Sequence, residues 1–162
     1  MVLSSLFAAL IAICAWLSIP IPPISFTMQT FAVFLTLGIL GGKWGTVSIF
    51  LYLLLGVVGL PVFTGFRGGP GALLDATGGF LWGFFLSALT YWILERLGKL
   101  PAMIMGLLVC YACGCIWFRI YAGNIGVWAS VMTCVVPYLL PDTVKIGLAW
   151  SLSRRITKRI RL

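Results

Sequence analysis

The chain has 162 residues, of which 62% are hydrophobic and 9% are charged, and its formal net charge is +8. A soluble domain carries about 25% charged residues, so this composition excludes an ordinary soluble domain. A membrane-spanning helix needs about 20 apolar residues, which leaves room for about six such helices with short connections. We therefore predict an all-α integral membrane protein, a bundle of six transmembrane helices that forms a single domain over residues 1–162.

The predicted helices are separated by proline and glycine rather than by polar linkers. The proline-rich segment 19–26 ends the first helix, because proline cannot continue a helix. Gly41 and Gly42 separate the second helix from the third, and Pro61 follows the third. The basic tail, residues 154–162, follows the last span. The predicted spans are approximately 3–19, 28–41, 44–60, 79–96, 101–120 and 137–153.

Two of the predicted helices carry small residues four positions apart. These are Ala8 and Ala12 in the first helix, and Gly79 and Gly83 in the fourth. Small residues at this spacing let two helices approach closely. We expect the glycines to pack within the chain, whereas the alanines could pack within it or form a surface for a partner.

A glycine-rich loop, residues 61–79, joins the third and fourth predicted helices on the outer side. Arg67 lies in this loop, and its planar guanidinium suits a carboxylate. Glycine lets the backbone approach a ligand closely, which makes Gly68 and Gly69 candidate ligand-binding residues. Two interpretations stay open: a flexible outer loop with a solvated arginine, or a lid that closes over a ligand from outside.

The last predicted span contains two opposite charges, Asp142 and Lys145, which lie on one helix face at this spacing. Each charge at membrane depth costs roughly 2.5 to 3.5 kcal/mol on insertion scales. The pair could be structural and neutralise itself, or it could bind a neutral polar group that has donors and acceptors, such as a cyclic urea or amide. Gln29 and Tyr111 are weaker candidates, because a neighbouring helix could satisfy them equally well.

Few side chains are available for catalysis. The chain has no histidine, and its only acids are Asp75, Glu95 and Asp142. No phosphate-binding loop of the G-x-x-x-x-G-K-S/T type occurs. Binding or transport without a metal or cofactor is therefore favoured. The alternative is an intramembrane enzyme that uses Asp142 with Glu95 or Asp75.

The distribution of basic residues predicts the orientation in a cell membrane. The basic tail holds five of the eleven lysines and arginines, which is typical of a cytoplasmic segment on anionic lipid and not of nucleic-acid binding. Six spans put both termini on the cytoplasmic side, together with Lys43, Arg96 and Lys99. Only Arg67 and Arg119 then lie outside.

Four segments together resemble the BioY family, the biotin-binding S components of energy-coupling factor (ECF) transporters. They are IPIPPISFTMQTF (19–31), GVVGLPVFTGFRGG (56–69), TGGFLWGF (77–84) and PYLLPDTVK (137–145). Their order and spacing cover nearly the whole chain. The resemblance implies a six-helix membrane protein that takes up biotin from outside, with a transmembrane coupling protein and a pair of ATPases as partners.

The resemblance also implies roles for particular residues. Asp142 and Lys145 match the Asp-x-x-Lys pair implicated in biotin binding, and Arg67 is a further candidate. The small-residue strip of Ala8 and Ala12 resembles the docking surface for the coupling protein, which favours the partner interpretation of these alanines. An S component for another small vitamin is the alternative within this class.

The chain departs from the family pattern at two places. Where the family usually reads G-P-T-G-G, residues 75–79 read DATGG, and where it usually reads Pro-Gly-Asp, residues 140–142 read LPD. The first departure introduces Asp75, a negative charge close to Arg67 in sequence that can pair with it.

Overall fold

The computed structural model describes residues 2–21 and 24–160. Residues 22–23 of the proline-rich segment and residues 161–162 of the basic tail lie outside the described residues. The helices are α1 Val2–Trp16, α2 Gln29–Val57, α3 Gly71–Leu74, α4 Gly78–Leu94, α5 Lys99–Tyr121, α6 Val127–Cys134 and α7 Val136–Ile160, with a 3₁₀ turn at Glu95–Leu97. Two short strands, β1 Ser18–Ile19 and β2 Phe26–Thr27, lie between α1 and α2.

Strands β1 and β2 pair with each other, a contact that the sequence did not predict. They pair antiparallel, with Ser18 opposite Thr27 and Ile19 opposite Phe26. Proline cannot continue a helix, so α1 ends before Pro20, and the backbone groups of the described residues around it pair with each other. Strand β2 directly precedes α2 in the chain, so its pairing with β1 links the end of α1 to the start of α2.

The long helix α2 is a hairpin of two antiparallel arms. Gly41 has φ 76° and ψ 175°, which interrupts the helix and is readily adopted by glycine. A Cβ built on Gly45 would lie 3.1 Å from the Cα of Leu37, although residues eight apart in a continuous helix are roughly 12 Å apart. The chain therefore reverses at Gly41, where the sequence predicted a break.

Length and composition identify two helices that could cross a membrane, Gln29–Val57 and Lys99–Tyr121. A third crossing arises if the bent pair Val127–Cys134 and Val136–Arg159, which meet at 43°, counts as one span. Large apolar side chains such as Leu6, Phe50 and Leu148 are exposed on the outer faces of the helices. So much exposed apolar surface indicates a lipid environment.

Close contact between α4 and α5 forms one side of the bundle. A Cβ on Gly83 would lie 3.1 Å from the Cα of Cys110, and one on Gly79 would lie 2.8 Å from the carbonyl oxygen of Cys113. Glycine is therefore needed where these two backbones meet, and the prediction that Gly79 and Gly83 pack within the chain is confirmed.

The turn between α4 and α5 caps the tip of the α2 hairpin. Glu95 Oε2 accepts a hydrogen bond from the backbone N–H of Gly42 at 2.7 Å, where the second arm begins. Lys99 Nζ donates to the carbonyl oxygen of Gly38 at 2.7 Å, where the first arm ends. An acid at a helix N-terminus and a base at a C-terminus both complement the helix dipole. These contacts account for Glu95 as a structural residue.

Candidate ligand-binding site

Asp142 and Lys145 form a buried ion pair inside the bundle. Lys145 Nζ donates to Asp142 Oδ1 at 2.8 Å, and each residue is only 4% exposed. A buried charge without a partner is strongly unfavourable, so each side chain requires the other. The pair faces its partners from one side of α7, as its spacing predicted.

Three further groups complete the contacts of the pair. Tyr111 OH donates to Asp142 Oδ2 at 2.8 Å, and Lys145 Nζ donates to the carbonyl oxygen of Thr27 at 2.7 Å. The ring of Phe26 lies 3.9 Å from Lys145 Nζ, close enough for a cation–π interaction. The ammonium group thus uses two of its three N–H donors in hydrogen bonds within the protein. Each oxygen of Asp142 has accepted one hydrogen bond and retains a lone pair for another.

Gln29 is held in place from within the α2 hairpin. Its Nε2 donates to Tyr52 OH at 2.9 Å, and the side chain is 3% exposed. Tyr52 lies on the second arm, so this contact depends on the chain reversal at Gly41. It leaves the Gln29 amide oxygen as an acceptor at the first turn of the helix.

A single pocket brings together five of the residues predicted from the sequence. Its empty space, which includes open solvent at the mouth, is about 730 Å³. Apolar side chains form the walls around these five residues, among them Phe63, Phe80, Leu81, Phe84, Leu107 and Tyr138. The five predicted residues that line it are Gln29, Arg67, Tyr111, Asp142 and Lys145.

Arg67 lies at the edge of this pocket in an ion pair with Asp75. Its Nη1 donates to Asp75 Oδ2, and its Nε donates to the carbonyl oxygen of Thr64 at 3.2 Å. The two side chains are 47% and 30% exposed, respectively. The pairing suggested by the sequence is therefore present, and Arg67 nevertheless lines the pocket.

Gly68 and Gly69 are not among the lining residues of the pocket. A Cβ on Gly68 would collide with the carbonyl oxygen of Leu60. Gly69 has φ 87°, and its N–H donates to the carbonyl oxygen of Gly56 at 2.7 Å. Both glycines fasten the loop to the end of α2, so backbone contact between either residue and a ligand stays a prediction.

The small-residue strip of α1 is not open to a partner. Ala8 is 1% exposed and Ala12 is 6% exposed, and both belong to the hydrophobic core. Helix α1 packs chiefly against α2. The expectation of a docking surface at these alanines needs correction, because spacing indicates close helix approach but does not identify the helix that approaches.

Several residues of the site were missed or only partly anticipated from the sequence. Thr27 and Phe26 reach Lys145 through the unpredicted strand β2. Tyr138 forms part of the wall, and its hydroxyl donates to the carbonyl oxygen of Ile24.

The acids do not assemble into a catalytic group. Glu95 contacts Gly42 at one end of the first α2 arm. The pocket residue Gln29 lies at the other end of this arm, roughly 18 Å away along the helix. Asp75 is paired with Arg67 in the loop. Within residues 2–21 and 24–160, no three His, Cys, Asp or Glu side chains form a metal-binding group. A helical bundle with this pocket belongs to the class of membrane-embedded small-molecule-binding proteins.

Comparison with known proteins identifies the family. The BioY family pattern matches residues 1–162. The biotin transporter BioY of Thermotoga maritima is 37% identical over 160 residues, which cover 96% of this chain and 94% of the relative. A probable biotin transporter BioY of Pyrococcus horikoshii is 35% identical over 154 residues, with 95% and 93% coverage. The chain belongs to the BioY family.

A solved structure agrees with this assignment. It is described as the S-component for biotin from an ECF-type ABC transporter, and it matches with a TM-score of 0.87 at 28% identity. The match covers 96% of this chain and 88% of that chain. The family consists of membrane transporter components and not of enzymes, so the alternative of an intramembrane enzyme is set aside.

Proposed function

We propose that this chain is a biotin-binding S component of an ECF transporter and serves biotin uptake. The observation that carries the proposal is the buried group of Asp142, Lys145 and Tyr111 in an otherwise apolar pocket. Family membership and the likeness to a biotin S-component support it. The alternative of another small vitamin is tested by the same binding experiment.

The chemistry of biotin matches the groups that the site leaves available. The ureido ring has two N–H donors, and each Asp142 oxygen retains a lone pair. The thiophane ring and valeryl chain suit the apolar walls. Arg67 keeps N–H groups that bond neither Asp75 nor Thr64, so the carboxylate of biotin pairs with Arg67 in the loop. This gives one orientation, with the ureido ring deep and the carboxylate at the mouth.

We propose six membrane spans, with both termini in the cytoplasm. The two arms of the α2 hairpin supply two of the six. Three basic residues lie near the tip of the α2 hairpin or in the turn that caps it: Lys43, Arg96 and Lys99. The pocket residue Gln29 lies at the opposite end of the hairpin. Basic residues favour the cytoplasmic side, so this separation supports a pocket that opens outward beneath the glycine-rich loop.

The proposed partners are a transmembrane coupling protein and a pair of ATPases. The sequence has no phosphate-binding loop of the G-x-x-x-x-G-K-S/T type, so the proposal assigns ATP hydrolysis to the partner ATPases. Because Ala8 and Ala12 are buried, contact with a partner would require other residues or a movement of α1. We therefore assign no docking residue.

Biotin is expected to copurify with the chain. Protein purified in detergent from cells grown with biotin should release about one biotin per chain on denaturation, as measured by mass spectrometry. Titration of ligand-free protein should then give saturable binding of biotin, with no binding of thiamine or riboflavin. Binding of another vitamin in preference to biotin would overturn the ligand while retaining the transporter class.

Uptake of labelled biotin is expected to depend on the ATPases. Cells that lack their own biotin transporter should accumulate biotin when this chain is coexpressed with an ECF coupling protein and ATPases. ATPases inactivated in their phosphate-binding loops provide the matched control and should abolish accumulation. Undiminished uptake with the inactive ATPases would contradict the proposed partners.

A further inference from the structure

Asp75 is held firmly beside the pocket residue Arg67. Its Oδ1 accepts a hydrogen bond from the N–H of Ala76 at 2.7 Å, and its carbonyl oxygen accepts one from Trp117 Nε1 at 2.9 Å. Asp75 is thus fixed to α5 through the side chain of Trp117, and Arg67 of the loop is held against it.

Asp75 carries a full negative charge at neutral pH. Partial burial raises the pKa of its carboxyl group, but hydrogen bonds from Ala76 and Arg67 and the charge of Arg67 outweigh this effect. The resulting pKa lies below the ordinary value of an aspartate. The Arg67 charge is therefore neutralised within the protein before any ligand arrives.

The charges around the pocket balance. Lys145 is neutralised by Asp142 inside the pocket, and Arg67 is neutralised by Asp75 at its mouth. A site that selects a free carboxylate is expected to present a net positive charge, as Arg67 alone would. The N–H groups of Arg67 not bonded to Asp75 or Thr64 can still donate to a neutral carbonyl oxygen as well as to a carboxylate.

We infer that Asp75 is a specificity-determining residue that lets the pocket accept biotin derivatives whose tail carries no net negative charge. The ligand class comprises biotin amides, including biotin joined to the side-chain amino group of lysine, whose amide carbonyl oxygen accepts from Arg67 and whose zwitterionic end carries no net charge. This inference rests on the proposed function and on the orientation with the tail at the mouth. Asp75 acts through Arg67 and through its own charge, without a required contact to biotin itself.

The test compares the affinities of biotin and its neutral amide, biotinamide, by titration in detergent. In the unsubstituted protein the two Kd values should lie within about tenfold of each other. Asp75→Asn should raise the preference for biotin by about three- to tenfold, as expected when a charge roughly 6 Å away in a partly solvated site is removed. Glu95→Gln, the same chemical change at the far end of the bundle, should leave the preference unchanged.

Salt gives a second measurement that needs no variant. Screening weakens exposed charge interactions, so the gain in preference of Asp75→Asn should shrink between 0.05 and 0.5 M salt. The preference of the unsubstituted protein should hardly change, because its mouth carries no net charge. A steep loss of biotin preference in the unsubstituted protein would overturn the inference, even if Asp75→Asn failed to fold.

Failure of the inference is distinct from failure of the proposed function. If the unsubstituted protein binds neither biotin nor biotinamide, the proposed function fails. If it binds biotin and Asp75→Asn leaves the preference unchanged or lowers it, only the role of Asp75 is wrong. Asp75 would then serve solely to position Arg67.

Discussion

Asp142→Asn is expected to lower the affinity for biotin by at least about tenfold, or ~1.4 kcal/mol. An amide in this place can accept fewer hydrogen bonds from the ureido N–H groups and no longer carries the charge that strengthens them. The substitution also removes the counterion of Lys145, which is 4% exposed. Breaking a buried ion pair costs about 3 to 5 kcal/mol of folding free energy. Titration and thermal unfolding in detergent measure the two effects.

A double variant separates binding from folding. Asp142→Asn with Lys145→Met removes both charges at nearly constant volume, and replacing a whole buried pair is often neutral for stability. The double variant should therefore unfold near the temperature of the unsubstituted protein. Its biotin affinity should remain as low as that of Asp142→Asn, because the charged carboxylate that accepts from the ureido ring is still missing.

The control variant lies on the same helix and outside the pocket. Thr143 is exposed, and its hydroxyl bonds only the carbonyl oxygen of Leu140, so Thr143→Val should preserve both stability and binding. Full biotin affinity in the double variant would contradict the assigned site. Asp142 and Lys145 would then be a structural pair, which is the alternative that the sequence left open.

The residues of the site could be found from the sequence because polar groups are rare in this chain. Asp142 and Lys145 are conspicuous in an apolar span, and their spacing alone places both on one face. Tyr111 and Gln29 also lie in the pocket. Their partners could not be predicted, since the bonds from Tyr111 to Asp142 and from Gln29 to Tyr52 join separate helices.

The sequence was least informative where tertiary contact decides the outcome. Lys145 bonds the carbonyl oxygen of Thr27, and any residue type could supply that atom, so no sequence signal marks it. Similarly, the spacing of Ala8 and Ala12 indicates close helix packing, but only the fold shows that these residues face a helix of their own chain. Local patterns predicted the hairpin break at Gly41 because its cause is itself local.

Gly79→Val is expected to destabilise the protein and abolish tight biotin binding. A Cβ at this position would overlap the side chain of Trp117 and lie 2.8 Å from the carbonyl oxygen of Cys113. Overpacking of this kind typically costs about 1 to 3 kcal/mol, and here it pushes α4 away from α5. Phe80 of α4 and Tyr111 of α5 both line the pocket, so moving the two helices apart also opens the site.

The matched control is Gly147→Ala. Gly147 lies within α7, two residues after Lys145, and a Cβ there would meet no atom within 4 Å. Alanine favours a helix over glycine by up to about 1 kcal/mol, so this variant should be neutral or slightly more stable. Thermal unfolding and biotin titration of both variants make the comparison. An unchanged unfolding temperature and affinity in Gly79→Val would mean that close approach of α4 and α5 is not what shapes the pocket.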